Sequence, residues 1–92
     1  MKLFRKSTKP KQINGVDINR LIPGETNAHI GMVRGALNQR YGNALCPMGT
    51  TYDENMQYAI GIFQQEIGHV RTSILTKDEL CLLADEYQLD IA

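Results

Sequence analysis

Ninety-two residues make one domain at most, and a chain of that size buries only about two-thirds of its surface on folding. Apolar residues are 42% of the total and Trp is absent, so the core is of ordinary size and lacks the largest stacking platform. Formal net charge is zero, yet Lys2, Arg5, Lys6, Lys9 and Lys11 put +5 on residues 1–12 with no acid among them, which excludes a uniformly basic nucleic-acid binder.

The basic leader cannot build a core of its own. Three readings of it stay open: a solvated start, an arm that docks on an acidic surface such as the acidic end of a neighbouring copy, or a contact to nucleic acid or an anionic membrane. The remaining residues sum to −5, with −4 of that after residue 75, and an acidic body weighs against the third. Ile13-Asn14-Gly15-Val16 holds an Asn-Gly turn signal. Val16, Ile18, Leu21 and Ile22 are apolar enough to lie over the body as a strap, and Pro23-Gly24 closes the stretch. Residues 1–24 are thus expected to be arm and strap, and residues 25–92 a helical domain. Lys2, Arg5, Lys6, Lys9, Lys11, Ile13, Val16 and Ile18 are the candidate partner-binding residues.

The first helix is expected to start near Thr26 or Asn27 and to stop at Gly42. Its core stripe is Ile30, Val33, Leu37 and Tyr41, with Ala36 beside it. Gly31 and Gly35 each cost about 1 kcal/mol relative to Ala inside a helix. Their spacing of four implies close approach by another backbone, from within the fold or from a partner.

After a loop over residues 43–50, residues 51–68 combine a helix start, an apolar face and a stop. Thr51 and Glu54 have capping-box spacing, Met56, Ala59, Ile60, Phe63 and Ile67 share one side, and Gly68 can end the helix. A second loop over residues 69–73 leads to the third helix. Thr76 and Glu79 form a further capping box there, and Leu75 can staple to Leu80. Leu80, Leu83, Ala84 and Tyr87 face the core, and Leu89 and Ile91 form an apolar tail.

Little in the chain points to catalysis or cofactors. His29 and His69 stand outside any metal spacing and are expected as solvated or capping imidazoles. No nucleophile elbow or P-loop is present, and the acid pairs Asp53-Glu54, Asp78-Glu79 and Asp85-Glu86 fall at helix starts or on a solvated face. Cys46 and Cys81 are too few for a disulfide framework and lack C-x-x-C spacing. Cys81, among Leu80, Leu82 and Leu83, is expected to be a small buried thiol, and a Cys46–Cys81 bridge is left open. Leu3-Phe4 is too short for a signal-peptide core and no run reaches the length of a membrane span. The expectation is a non-enzyme without metal or cofactor, made in a reducing cytoplasm without an export signal.

Several motifs in order carry a resemblance. They are Val33-x-x-Ala36-Leu37 with Tyr41-Gly42, then Tyr52, then Ala59-Ile60-x-x-Phe63-Gln64, then residues 74–80 and the tail from Glu86 to Ile91. Together they resemble the peptidoglycan-binding-domain-like family, small three-helix modules of cell-wall hydrolases and phage proteins, over about four-fifths of the chain. The resemblance implies an all-α three-helix bundle behind an extended N-terminal arm, and a non-catalytic interaction module. Both Asp-Gly turns of the family pattern are missing, with Gly49-Thr50 and Thr72-Ser73 in their places, and the expectation is a module without an attached enzyme domain. The expected function is therefore a small structural or assembly protein, such as a bacteriophage capsid decoration or minor head or tail protein. Its partner would be another protein or identical copies in a larger assembly. The alternative is a peptidoglycan-binding module that grips glycan or stem peptide in a groove near Tyr41, Tyr52 and Tyr58, where exposed rings would stack on sugars and buried ones would be core.

Overall fold

In the computed structural model the described residues are 14–92, and local capping chemistry accounts for most of the helix boundaries. A short 3-10 turn, Ile18–Arg20, precedes α1 (Ala28–Tyr41), α2 (Glu54–Glu66) and α3 (Lys77–Tyr87). Among the described residues the body is all-helical, with three α-helices and no strand beyond two isolated bridges. The candidate contact residues Lys2, Arg5, Lys6, Lys9, Lys11 and Ile13 lie outside the described residues.

Asn27 caps α1 by accepting the Ile30 amide at 2.9 Å, and Gly42 ends it. Ile30, Val33, Ala36 and Leu37 are buried, with Tyr41 packed at the edge of the core. Gly31 fulfils the expected close approach from within the fold, since a Cβ there would meet Thr50 Cγ2 at 2.9 Å. Gly35 does not: its nearest neighbour would be Met48 Cε at 3.9 Å, an ordinary contact.

The start of α2 corrects the expectation for Thr51. Asp53 is the cap, accepting the Met56 amide at 3.1 Å. Thr51 is engaged elsewhere, in an antiparallel bridge with Thr26 and a 2.8 Å contact between the two hydroxyls. Asn27 N–H bonds to Thr50 O, Tyr52 N–H to Glu25 O and Gly24 N–H to Tyr52 O. That ladder keeps residues 50–52 extended, so helical geometry begins only after Asp53. Met56, Ala59, Ile60 and Phe63 then point inward, Ile67 is the C-cap and Gly68 follows at φ +81°.

The third helix starts as expected, with both halves of the Thr76–Glu79 capping box present. Leu75, Leu80, Leu83 and Ala84 are buried. It ends on Gln88 at φ +60°, a left-handed residue that is not glycine. Cys81 is a correction: it is exposed, while Cys46 is buried, and both are free thiols. Each residue turns 100° around a helix, so inward positions 80, 83, 84 and 87 carry 81, 82 and 85 outward. Leu82 is 49% exposed for the same reason.

The strap is part of this core. Val16 is fully buried and Leu21 nearly so, in one cluster with the helices. Val16 pairs in parallel with Ile91, donating to Asp90 O at 2.7 Å and accepting from Ala92 N–H at 3.0 Å. Gly15 sits at φ +134°, where a Cβ would come within 2.8 Å of Ile91 C and 2.7 Å of Ala92 N. Only glycine fits there. The two ends of the described chain are thereby tied edge to edge.

Candidate interaction surfaces

Two buried polar side chains, one from each of the first two helices, hold the loops that shape the surface. Arg34 on α1 is 4% exposed. Its guanidinium donates to Pro47 O through Nε and one terminal nitrogen, to Thr51 O at 2.8 Å through the other, and pairs with Asp53 at 2.8 Å. Burial works against the Asp53 charge, but the Met56 amide and Arg34 outweigh it and hold the carboxyl below its ordinary range. Gln64 on α2 is fully buried. Its carbonyl accepts the Thr72 and Ser73 amides at 2.9 Å each, and its NH2 faces Thr72 Oγ1, Ile74 O and Glu79 Oε1 at 3.0 Å.

Glu79 joins this network from α3. Its carboxylate, almost fully buried, accepts from Gln64, from the Thr76 amide at 2.9 Å, and meets His69 Nδ1 at 2.8 Å. Burial disfavours its charge, yet those donors prevail and keep it below the usual carboxylate range. His69 thus holds a tertiary contact, as does His29, whose Nδ1 accepts the Asp17 amide at 3.1 Å and ties the strap to α1. His69 is also exposed, as expected, and neither contact partner is a sequence neighbour, so spacing does not reveal these bonds. The Thr72 hydroxyl serves Gln64 and Ile74, and among the described residues no hydroxyl or thiol is bonded to His69. No group of three or more described His, Cys, Asp or Glu side chains could hold a metal ion. No described helix is long and apolar enough to cross a membrane.

The three tyrosines divide between the two expected outcomes, core for a buried ring and surface for an exposed one. Tyr52 is fully buried; its hydroxyl donates to Ser73 O at 2.8 Å and lies 3.3 Å from the Leu75 amide. Burial pushes its phenol up. Tyr41 is half-buried at the far end of α1, donating to Glu66 at 2.6 Å. Burial and that bond push its phenol up to about 12. Arg40 completes this corner, bonding Glu66 and Glu86 and lying over the Tyr41 and Phe63 rings. Only Tyr58 offers a ring, 51% exposed, with the Arg71 guanidinium 5.0 Å above it. It lines a shallow hollow of about 430 Å³ with Ala44, Leu45, Glu54 and Asn55.

Of the described strap candidates, Val16 is buried in the chain's own core, where its backbone pairs with the tail at Ile91, and Ile18 is half-buried against that core. A second, larger hollow of about 520 Å³ opens at the C-terminal end of α3, between Cys81 and Ile91. Compared with known proteins, no family model, no curated protein and no solved structure matches this chain.

Proposed function

We propose that this chain is a non-catalytic interaction module: a small structural or assembly protein, of the kind found as a capsid decoration or minor head or tail component of a bacteriophage, on a peptidoglycan-binding-like three-helix fold. The observation that carries the reading is the union of Val16 with Ile91 and Ala92. It anchors Val16, three residues after the candidate contact position Ile13, on the C-terminal tail, and the +5 of residues 1–12 precedes that anchor in the chain. The titratable groups support the same reading, since Glu79, His69, Arg34 and Asp53 are engaged in holding loops. The resemblance in motif order supports the fold and the viral setting.

The test is co-purification and cross-linking of the full chain against a variant with Lys2, Arg5, Lys6, Lys9 and Lys11 changed to Gln. Loss of copies or partner in the variant is the expected result; unchanged association refutes the reading. A second reading, peptidoglycan binding, is favoured by the Tyr58 hollow, where an exposed ring adjoins Asn55 and Glu54. It requires the chain to sediment with purified cell wall and Tyr58→Ala to abolish this.

A further inference from the structure

We propose that the outward stripe of α2 is a self-pairing face: a second copy of this chain lies antiparallel on it, with the two Tyr58 rings at the two-fold axis and each Arg71 against the partner's Glu54. Glu54, Tyr58, Gly61 and Gln65 are spaced four, three and four residues apart, so they follow one another along one side of the helix. Glu54, Tyr58 and Gln65 are exposed, and Gly61 lies beneath Arg71. A Cβ at position 61 would come within 2.5 Å of Arg71 Nε, so the bare glycine lets that side chain lie along the helix surface. Arg71 Nη1 donates to Gln65 at 2.8 Å, and its guanidinium carbon stands 5.0 Å from the centre of the Tyr58 ring. From the N-terminal end of α2 onward the stripe therefore reads carboxylate, ring, guanidinium.

Both charges are uncompensated. Neither Glu54 nor Arg71 has an oppositely charged partner among the described residues. Arg71 has N–H groups beyond the one held by Gln65, in a planar fork suited to a carboxylate. A parallel copy would set like charges together, whereas the same stripe turned end for end is its own complement. That is the condition for an isologous contact. Tyr58 is about 6 Å along the axis from Glu54 and about 4.5 Å from Gly61, so a two-fold axis at the ring joins opposite charges at both ends at once. The hollow beside Tyr58, edged by exposed Ala44 and half-buried Leu45, offers apolar surface to the incoming ring. One aromatic pair flanked by two exposed ion pairs is a small interface, with a dissociation constant on the order of 1 mM. Such a contact acts where many copies are held close together. This deepens the assembly reading and rests on its identical copies, adding to the leader a second face through which they meet.

Sedimentation equilibrium at low ionic strength, from about 50 µM to about 1 mM chain, tests the pairing. The natural sequence should shift toward the dimer over that range. Glu54→Lys and Arg71→Glu each set like charges together at both ends of the pair, and each alone should raise the dissociation constant about tenfold. An equimolar mixture of the two variants has opposite charges at both ends of a mixed pair, and should regain most of the association. Mixing repairs nothing that a substitution has damaged inside its own chain, so recovery belongs to the contact. A natural chain that stays monomeric to about 1 mM, association indifferent to both substitutions, or a mixture no better than its components overturns the proposal. A monomer that sediments on purified cell wall, and loses this with Tyr58→Ala, also overturns it and assigns the face to glycan. The series is repeated with Lys2, Arg5, Lys6, Lys9 and Lys11 changed to Gln, so that a leader contact cannot imitate the pair. Pairing that vanishes in that background removes the α2 face alone, because co-purification of the natural chain at micromolar concentration scores the assembly reading separately.

Discussion

Replacing Arg34 with Met should be among the most damaging single changes that leave the apolar core untouched. Met keeps the buried stem and removes the guanidinium, which leaves Pro47 O and Thr51 O without their donors. Hydrogen bonds to a charged group contribute about 1.5–3 kcal/mol each when partly buried. The ion pair adds less than about 1 kcal/mol, because Asp53 is 45% exposed and remains hydrated when alone. Two carbonyls at the low end of their range give a loss of about 3 kcal/mol. A domain of this size has only about 5–14 kcal/mol in total. With a urea slope of about 1–2 kcal/mol per molar, the unfolding midpoint by circular dichroism should fall by roughly 2 M. Asp53→Asn should cost less than about 1 kcal/mol, because Asn still caps α2 and only the half-exposed charge is lost. Amide exchange over residues 47–53 should quicken in the Met variant. If both substitutions cost the same, Arg34 is not what holds this loop, and the reasoning fails.

Gln64→Leu fills the same space but leaves the Thr72 and Ser73 amides unpaired and takes a donor from Glu79; a loss of about 3 kcal/mol is expected in urea titration. Asp53, Glu66 and Glu79 all have carboxyls held below their ordinary range. Their contribution is therefore complete above about pH 5 and lost as pH falls below it, through the depressed values. Thermal melts from pH 7 to pH 2 should show a steep acid limb that becomes shallower in Glu79→Gln. In about 1 M salt a thiol reagent should titrate one cysteine in the native chain, the exposed Cys81, and the second only in denaturant, because Cys46 is buried and its thiol is pushed up by that burial.

What was legible in the sequence was local. The α1 cap at Asn27 and the α3 capping box depend on residues three apart, so spacing alone reveals them. The apolar stripes of all three helices follow from periodicity in the same way. Thr51 misled because its hydroxyl and backbone pair with Thr26, twenty-five residues away. Nothing in Thr51-x-x-Glu54 marks that competition. The apolar neighbours of Cys81 imply burial, although its position on the helix turns it outward. The Val16–Ile91 union joins opposite ends of the chain, and short apolar runs carry no record of which other run they meet.

The surfaces were less legible than the fold for a related reason. Tyr52 looks like a candidate ring in the sequence, yet its hydroxyl reaches Ser73 O and the ring becomes core. Spacing reveals Glu79 as a cap, and its bonds to Gln64 and, through its other oxygen, to His69 make it also the hub between α2, α3 and His69. The loops at Gly49-Thr50 and Thr72-Ser73 hold no Asp-Gly turn. An Asp-Gly turn orders itself through a short side chain and a residue free to take positive φ. Here each loop is ordered from outside, by Arg34 reaching Pro47 and Thr51, and by Gln64 reaching Thr72, Ser73 and Ile74. Ser73 even adopts φ +65° without being glycine, a conformation costing about 1 kcal/mol that the bond from its amide to Gln64 can offset. A long polar side chain projecting from a packed helix thus substitutes for turn chemistry. Because its partners are backbone atoms eight or more residues away, no motif in the sequence announces it.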